Sequence, residues 1–215
     1  MAEGFDQRYE RTRVQLHGLA ESLIAGPQYR SAGTIRLAVF ADGFGGAASP
    51  LSVRGMQFDW VDGSVPLAGT PRELARAAGV DFGAPEGVYP ATGLLDAETT
   101  LAVDEAVATL IIRSHHAGSQ ALQQVFAEQQ PVLWPEHFDV AVSVAEVNYG
   151  VSAGDGYHPT PYAYVGPWKP RTGPFWNAPF GAAYPLHPDH NCADLVTDIV
   201  EFFEQGRAEL EGQNP

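Results

Sequence analysis

The sequence predicts a single α+β domain over residues 1–215, with about five mostly antiparallel strands in one or two sheets packed against three main helices. Three observations lead to this fold class. Helical periodicity occurs near both ends and in the middle of the chain, period-two alternation occurs in separate stretches, and glycine and proline clusters lie between them. The glycine- and proline-rich residues 80–95 leave open a subdivision near residue 90.

The N-terminal region begins with an amphipathic helix and continues with an antiparallel hairpin. Apolar residues recur at helical spacing over residues 6–25, and Gly26-Pro27 predicts the end of that helix. Residues 34–41 and 56–60 alternate, which predicts the two strands of a long hairpin. The glycine-rich segment 42–50 has no following Gly-Lys-Ser/Thr, so it predicts a mobile hairpin tip and no phosphate-binding loop.

Two helices are predicted in the middle of the chain. Thr70 and Glu73 form a capping-box pattern around the start of a short helix over residues 71–78. Asp96 is the predicted N-cap of the longest helix, residues 97–128. Small residues around Gly118 in that helix would let another element approach it closely.

Residues 131–190 have the most unusual composition in the chain. They contain 11 of the 23 aromatic residues, 10 of the 17 prolines and 4 of the 7 histidines, but only 7 charged side chains. Aromatic residues among so many prolines and glycines predict shaped loops around a pocket. A last helix is predicted over residues 192–210, with Asn191 as its N-cap.

The candidate catalytic pair lies in an alternating segment of this stretch. Alternation after Pro131 places Phe138 and Val140 on one face of a strand and His137 and Asp139 on the other. A histidine held by a carboxylate suits general acid–base catalysis, so His137 and Asp139 are the predicted catalytic residues. The alternative is that both are solvated polar residues on the outer face of a sheet.

The alternation changes parity at Ala145-Glu146. A bulge that reverses the faces would explain this change, and bulges often lie beside functional sites. The end of one strand and the start of another would explain it equally well. Further along, the residues Gly154-Asp155-Gly156 predict a turn.

Aromatic and polar residues of the same stretch predict a ligand-binding surface. Tyrosine and tryptophan can stack on a flat or sugar-like ligand while their polar atoms donate hydrogen bonds. The predicted ligand-binding residues are Trp134, Tyr149, Asp155, His158, Tyr162, Tyr164 and Trp168. The alternative is that these side chains fill an ordinary second core.

The segment from Trp134 to Tyr164 also carries a recognisable pattern of residues. Trp134-Pro-Glu-His-Phe-Asp139, then Gly154-Asp155 and Pro161-Tyr-Ala-Tyr164, resembles an uncharacterised bacterial family with a W-P-x-H-F-D, G-D and P-Y-x-Y pattern. The resemblance covers about thirty residues. It implies a spatial cluster and no activity; the members of that cluster are His137, Asp139, Asp155, Tyr162 and Tyr164.

Charge and composition exclude some classes of partner. The net charge of −14, with Lys169 as the only lysine beside eleven arginines, predicts no binding to nucleic acid or to anionic membranes. No apolar run reaches the length of a bilayer span, and the N-terminus lacks a signal peptide. The single Cys192 agrees with a reducing compartment, so an acidic, cytoplasmic bacterial protein is expected.

These observations favour a protein that binds a small polar metabolite in an aromatic-lined pocket. It could be an enzyme for hydrolysis or isomerisation, but the sequence identifies no cofactor and leaves open whether it is an enzyme. One alternative is a non-catalytic module whose exposed tryptophans, Trp168 and Trp176, dock a protein partner or a second copy in a homodimer. Another is a metal-dependent enzyme using His137 and Asp139 with His158, or the zinc-like spacing of His187 and His190; no metal ligand is assigned.

Overall fold

The computed structural model describes residues 4–93 and 95–212 and confirms the α+β class. The predicted numbers of elements were too low, because these residues form ten strands of an antiparallel sheet and four helices. The strands are β1 Leu37–Phe40, β2 Gly43–Gly46, β3 Ser52–Arg54, β4 Gln57–Trp60, β5 Gly63–Pro66, β6 Val132–Trp134, β7 Asp139–Val144, β8 Val147–Ser152, β9 Tyr162–Pro167 and β10 Ala182–Pro185. The helices are α1 (Phe5–Leu19 continuing through Ala20–Ala25 and Gly26–Ala32), α2 Pro71–Ala78, α3 Glu105–Val125 and α4 Cys192–Glu211.

The described residues divide into two compact units. The first contains the residues up to Ile112 together with Leu133–Phe138, and the second contains Arg113–Val132 and the residues from Asp139 onward. Within the first unit the strand order is β6-β1-β2-β3-β4-β5, and within the second it is β10-β9-β8-β7. The single domain with a possible subdivision near residue 90 stays a prediction.

Helix α1 continues past Gly26-Pro27, where the sequence predicted its end. Its middle segment, Ala20–Ala25, is a π-helix, and Pro27 lies in the first turn of the α-helical segment that follows. The Ser22 carbonyl accepts a hydrogen bond from the Gly83 N–H at 2.9 Å, so a partner outside the helix satisfies it. Proline is tolerated in a first helical turn, and the helix ends only at Gly33, whose φ is 70°.

The glycine-rich segment contains a buried strand, β2, and is not the predicted mobile tip. Val39 of β1 pairs with Phe44, and Phe44 pairs in turn with Val53 of β3. A Cβ atom added at Gly43 would lie 1.8 Å from the carbonyl oxygen of Val53, so glycine is required for the strands to approach. The sequence missed this strand because glycine is normally depleted in strands.

Helix α3 begins at Glu105 and not at residue 97. The carboxylate of Asp104 accepts a hydrogen bond from the Val107 N–H at 3.1 Å, so Asp104, and not Asp96, supplies the capping interaction. The preceding residues are held in a non-helical conformation because the Leu101 N–H donates to the Gly69 carbonyl at 2.8 Å. A backbone contact with a distant segment therefore decides where this helix starts.

The two helices of the second unit approach its sheet through glycine. A Cβ atom at Gly118 of α3 would lie 2.7 Å from the Val151 side chain, and one at Gly206 of α4 would lie 2.9 Å from the Val165 side chain. The close approach predicted around Gly118 is confirmed. Both helices therefore contact the face of the sheet that carries Val151, Val165 and Tyr149.

The change of parity at Ala145-Glu146 is a two-residue turn between β7 and β8. Val144 and Val147 form the last pair of the two strands, and the φ angles of Ala145 and Glu146 are 50° and 63°. Positive φ at both central residues defines the mirror-image turn that suits the twist of a hairpin. Of the two explanations, the strand end is therefore the right one, and no bulge is present.

Replacing Ala145-Glu146 by Asn-Gly should raise the free energy of unfolding by about 1–2 kcal/mol, because L-residues with side chains are strained in the left-handed region. Urea unfolding followed by circular dichroism measures the change. Glu146→Gln alone is the control. It removes only the exposed ion pair with Lys169 and should change stability by less than about 0.5 kcal/mol. A double variant no more stable than the parent would contradict the assigned strain.

Candidate functional site

Tyr162 and Tyr164 lie on one face of β9, as predicted, and each donates a hydrogen bond to an aspartate. The Tyr164 hydroxyl donates to Asp139, and the Tyr162 hydroxyl donates to Asp155 at 2.7 Å. The strand register explains this geometry, because Tyr162 stands opposite Ser152, which stands opposite Asp139. The two pairs therefore connect β9 with β7 and with the turn that follows β8.

Asp155 and His158 also hold the shape of the predicted turn. The second carboxylate oxygen of Asp155 accepts hydrogen bonds from the backbone N–H groups of Tyr157 at 2.8 Å and His158 at 3.2 Å. Nδ1 of His158 lies 2.9 Å from the carbonyl oxygen and 3.4 Å from the backbone nitrogen of Thr160. Polar atoms of both predicted ligand-binding residues are therefore engaged by the chain itself.

The aromatic rings around the two pairs pack on one another. Phe180 lies at the centre, with ring centroids 4.9 Å from Tyr157 and 6.3 Å from both Tyr162 and Tyr164. Gly150 supports Tyr164 from the neighbouring strand, because a Cβ atom there would lie 2.5 Å from the phenol oxygen. Tyr162 is only 4% exposed, so its ring is part of this packed cluster.

The electrostatics of these pairs keep both phenols protonated. Burial raises the pKa of Tyr164 well above its ordinary value, and the charge of Asp139 raises it further. Burial likewise raises the pKa of Tyr162, followed by its hydrogen bond to Asp155. Both hydroxyls therefore act as hydrogen-bond donors to the aspartates at neutral pH.

His137 does not lie on a strand, so the predicted side-by-side placement with Asp139 on a strand is wrong. Residues 135–138 form a turn, and β7 begins at Asp139. The His137 side chain is 69% exposed, and its nearest carboxylate is that of Glu136 at 3.9 Å. Asp139 is only 6% exposed and accepts the Tyr164 hydrogen bond. The catalytic role of His137 and Asp139 stays a prediction.

The turn is shaped by Phe138, whose φ is 52° although its ring is buried. This ring stacks on His17 at 5.5 Å and meets Phe44 edge-on at 5.3 Å. Nε2 of His17 donates to the Pro135 carbonyl at 2.8 Å, and burial lowers the pKa of His17 to about 4. The buried aromatic contacts of Phe138 account for the left-handed conformation that breaks the expected strand.

The other predicted ligand-binding residues lie elsewhere. Tyr149 is on the opposite face of the sheet from Tyr162 and Tyr164, because neighbouring positions of a strand alternate. Trp168 is 65% exposed and donates through its indole N–H to Asn148 at 3.3 Å. Trp134 is on β6 in the first unit. The seven residues therefore do not form one surface.

A cavity of about 460 Å³ lies beside Tyr149 in the second unit. Cavities that bind small ligands usually have volumes of roughly 300–1,000 Å³. The Tyr149 and Phe126 rings line it, with centroids 4.5 Å apart. The Ala145-Glu146 turn and the last residues of α4 complete the wall, with further apolar surface from Val147, Pro167 and Leu210.

Charged side chains line the same cavity. They are the cations Lys169, Arg171 and Arg207 and the carboxylates Glu146 and Glu211. The Lys169 amino group lies 3.4 Å from the Glu146 carboxylate. Nε of Arg171 is buried, and no atom among the described residues accepts a hydrogen bond from it. The cavity thus combines an aromatic wall with charged side chains of both signs.

Sequence reasoning included Tyr149 but missed most of this cavity. One signal was present, because Lys169 and Arg171 lie within the aromatic-rich residues 131–190 of a chain with a net charge of −14. Phe126 and Arg207 belong to segments predicted as helical ends, and nothing in the sequence connects them with Tyr149. Their proximity arises from the packing of α4 and the end of α3 on β8.

The other sequence-based hypotheses stay predictions. The rings of His187 and His190 stack at 4.8 Å, and Nδ1 of His190 lies 2.9 Å from the Asp198 carboxylate. Within residues 4–93 and 95–212, no group of three or more histidine, cysteine, aspartate or glutamate side chains is arranged to hold a metal ion. Trp176, expected to be covered by a partner, is already buried by its own chain at 9% exposure.

Among the helices of the described residues, none combines the length and the apolar character needed to span a membrane. The resemblance to an uncharacterised bacterial family stays a prediction. No protein-family model, curated protein or solved structure matches this chain.

Proposed function

We propose that this chain binds a small molecule in the cavity beside Tyr149. The observation that carries the proposal is the combination of an aromatic wall, formed by Tyr149 and Phe126, with charged groups around a space of about 460 Å³. Binding sites for small molecules typically combine apolar walls with a few placed polar groups. The proposed ligand is a small molecule, as the sequence also predicted, and Tyr149 is one of the ligand-binding residues that the sequence predicted.

Tyr149 can contribute both a ring and a hydroxyl group to this site. Burial raises its pKa to about 12, although the positive charge of Arg207 acts in the opposite direction. The phenol is therefore neutral at physiological pH and can donate a hydrogen bond. Its ring is 3% exposed and held between Phe126 and Phe203, so it is preorganised and a ligand need not order it.

The turn at the cavity wall is a second supporting feature. Ala145 and Glu146 both adopt left-handed φ angles that glycine or asparagine would adopt at lower cost. Strained backbone conformations of this kind are concentrated at binding and catalytic sites. A glycine at either position would relax the turn but remove a side chain from the wall of the cavity.

The test is a two-dimensional ¹H–¹⁵N NMR titration with phenylacetamide and phenylacetate, two small probes with one aromatic ring. We expect at least one probe to shift the backbone amides of Val144–Tyr149 and of residues 207–211 in a saturable way. The shifts at these two segments should fit one dissociation constant. Saturable shifts confined to other segments, or no saturable shift with either probe, would contradict the proposed function.

A pair of variants tests whether the cavity itself is occupied. Leu210→Trp places a large ring at the cavity wall and should weaken probe binding by roughly ten-fold or more. Ala208→Trp is the matched control, because Ala208 is exposed on the same helix and does not line the cavity. His137→Ala should leave binding unchanged, since that side chain also lies outside the lining. Equal binding by both tryptophan variants would contradict occupation of the cavity.

A further inference from the structure

The ligand class can be inferred from the cations of the cavity, and this inference rests on the proposed function. The chain has a net charge of −14, so its overall field repels anions. Nevertheless three of its twelve cationic side chains, Lys169, Arg171 and Arg207, line this one cavity. Such a local concentration of cationic side chains in an acidic chain indicates that the cavity attracts an anionic group.

Two of the three cations already have partners within the chain. Lys169 pairs with Glu146 at 3.4 Å, and Arg207 contacts both carboxylate oxygens of Glu204 at 3.2 Å. Arg171 differs, because no carboxylate of the described residues pairs with its guanidinium group, although it lines the cavity. A cation without a partner at the wall of a cavity is available to pair with an anionic group of a ligand.

The chemistry of arginine narrows the ligand further. A guanidinium group has a planar array of donors that matches the two oxygens of a carboxylate. The second carboxylate of the lining, Glu211, stands at the end of α4 and disfavours a ligand with more than one negative charge. Because Lys169 and Arg207 are already paired, Arg171 is left to pair with one carboxylate of a ligand, which favours a monoanion over a dianion.

The aromatic wall of the cavity favours a ligand with a flat apolar body. The rings of Phe126 and Tyr149 meet at 48° with centroids 4.5 Å apart, and the Arg207 guanidinium lies 5.8 Å from the centroid of the Phe126 ring. Aromatic ligands pack on such surfaces in edge-to-face or offset arrangements. Pro167 and Leu210 add apolar contacts without competing polar groups.

We propose that the cavity binds a small aromatic monocarboxylate, with the carboxylate on Arg171 and the ring against Phe126 and Tyr149. In this arrangement Lys169 contributes a weaker attraction, because it is exposed and shared with Glu146. Recognition is by charge and shape together. A neutral amide of the same shape would lose the charge-assisted hydrogen bonds, and a dianion would be repelled by Glu211.

The test compares three probes by isothermal titration calorimetry and NMR: phenylacetate, phenylacetamide and phenyl phosphate. We expect phenylacetate to bind at least roughly ten-fold more tightly than phenylacetamide, as charge-assisted hydrogen bonds predict. Phenyl phosphate, largely a dianion at pH 7.5, should bind more weakly than phenylacetate. Equal affinity of the acid and the amide, or tighter binding of the phosphate, would overturn the inference and leave the proposed function standing.

Variants assign the charge recognition to one side chain. Arg171→Gln should remove the preference for phenylacetate over phenylacetamide while the amide still binds, and Lys169→Gln should reduce that preference by less than about three-fold. Arg76→Gln, at an exposed arginine of α2 outside the cavity, is the control. A full preference retained by Arg171→Gln would overturn the inference. Absence of saturable binding by all three probes would instead remove the proposed function, and this inference with it.

Discussion

Replacing Glu21 by alanine should lower the free energy of unfolding by about 3–5 kcal/mol, because two backbone donors, one of them buried, would lose their acceptor and the buried side chain would leave a cavity. The Glu21 side chain is completely buried in the π-helical segment of α1. Its carboxylate accepts hydrogen bonds from the N–H groups of Thr92 at 3.0 Å and Gly93 at 2.8 Å.

The loop that contains Thr92 and Gly93 makes further contacts, which increase the loss of stability expected for Glu21→Ala. The Thr92 hydroxyl donates to the Glu136 carbonyl, so the loop also holds the turn that follows β6. Gly93 lies close to α1, because a Cβ atom there would be 2.9 Å from the Glu21 carboxylate and 3.0 Å from the Gly18 Cα atom. Loss of the Glu21 carboxylate would therefore release a segment that joins α1 to this turn.

Urea unfolding followed by circular dichroism and by tryptophan fluorescence measures the loss. Glu10→Ala is the control, because Glu10 is exposed on the same helix and should change stability by less than about 0.5 kcal/mol. Glu21→Gln should give an intermediate loss, since the amide keeps one acceptor oxygen but turns an NH₂ group toward a donor. A loss below about 1 kcal/mol for Glu21→Ala would show that the carboxylate does not hold the loop.

Alkaline solution should unfold this protein, and the effect should begin above pH 10. Burial raises the pKa of Tyr149 to about 12, and it also raises the pKa of Tyr9, Tyr162 and Tyr164. An unfolded tyrosine ionises near pH 10, so the folded state binds more protons above that pH. The contribution of these groups is fully present below pH 10 and is lost as pH rises toward the folded-state pKa, by about 1.4 kcal/mol per pH unit for each tyrosine.

Absorbance at 295 nm and circular dichroism, recorded together from pH 8 to 13, measure this effect. We expect the buried tyrosines to ionise in one cooperative step that coincides with the loss of circular dichroism. Tyr149→Phe should make the loss of stability between pH 10 and 12 less steep by about 1.4 kcal/mol per pH unit, and Tyr157→Phe removes an exposed phenol as the control. Ionisation of all tyrosines near pH 10 in a fully folded protein would contradict the prediction.

Local signals in the sequence were sufficient for several elements. The capping box of Thr70 and Glu73 predicts α2 over the residues that form it, and the Asn191 side chain caps α4 as predicted. These signals succeed because the capping residues and the backbone groups that they satisfy lie within one helical turn. The alternation of Tyr162 and Tyr164 likewise predicts their common face, since it depends only on the geometry of one strand.

The sequence-based predictions of backbone conformation were wrong where a tertiary contact overrides the local preference of the residue. Gly43 reads as a loop residue, yet it lies in a buried strand because Val53 approaches it too closely for any side chain. His137 reads as a strand residue, yet Phe138 turns the chain because its ring is held by His17 and Phe44. In both cases a residue far away in sequence decides the backbone conformation.

The sequence alone determined the α+β class, most helical segments, the turn at Asp155 and the aromatic character of the C-terminal half, because period, capping and composition act over a few neighbouring residues. The cavity beside Tyr149 depended on tertiary structure. It joins the end of α3, the β7–β8 turn and the end of α4, and their distances from one another are set by helix-to-sheet packing. No local pattern encodes the pairing of β8 with β9 that places Tyr149 and Tyr162 on opposite faces of the sheet. Nor does any local pattern encode the packing that brings Arg171 to the wall of the cavity.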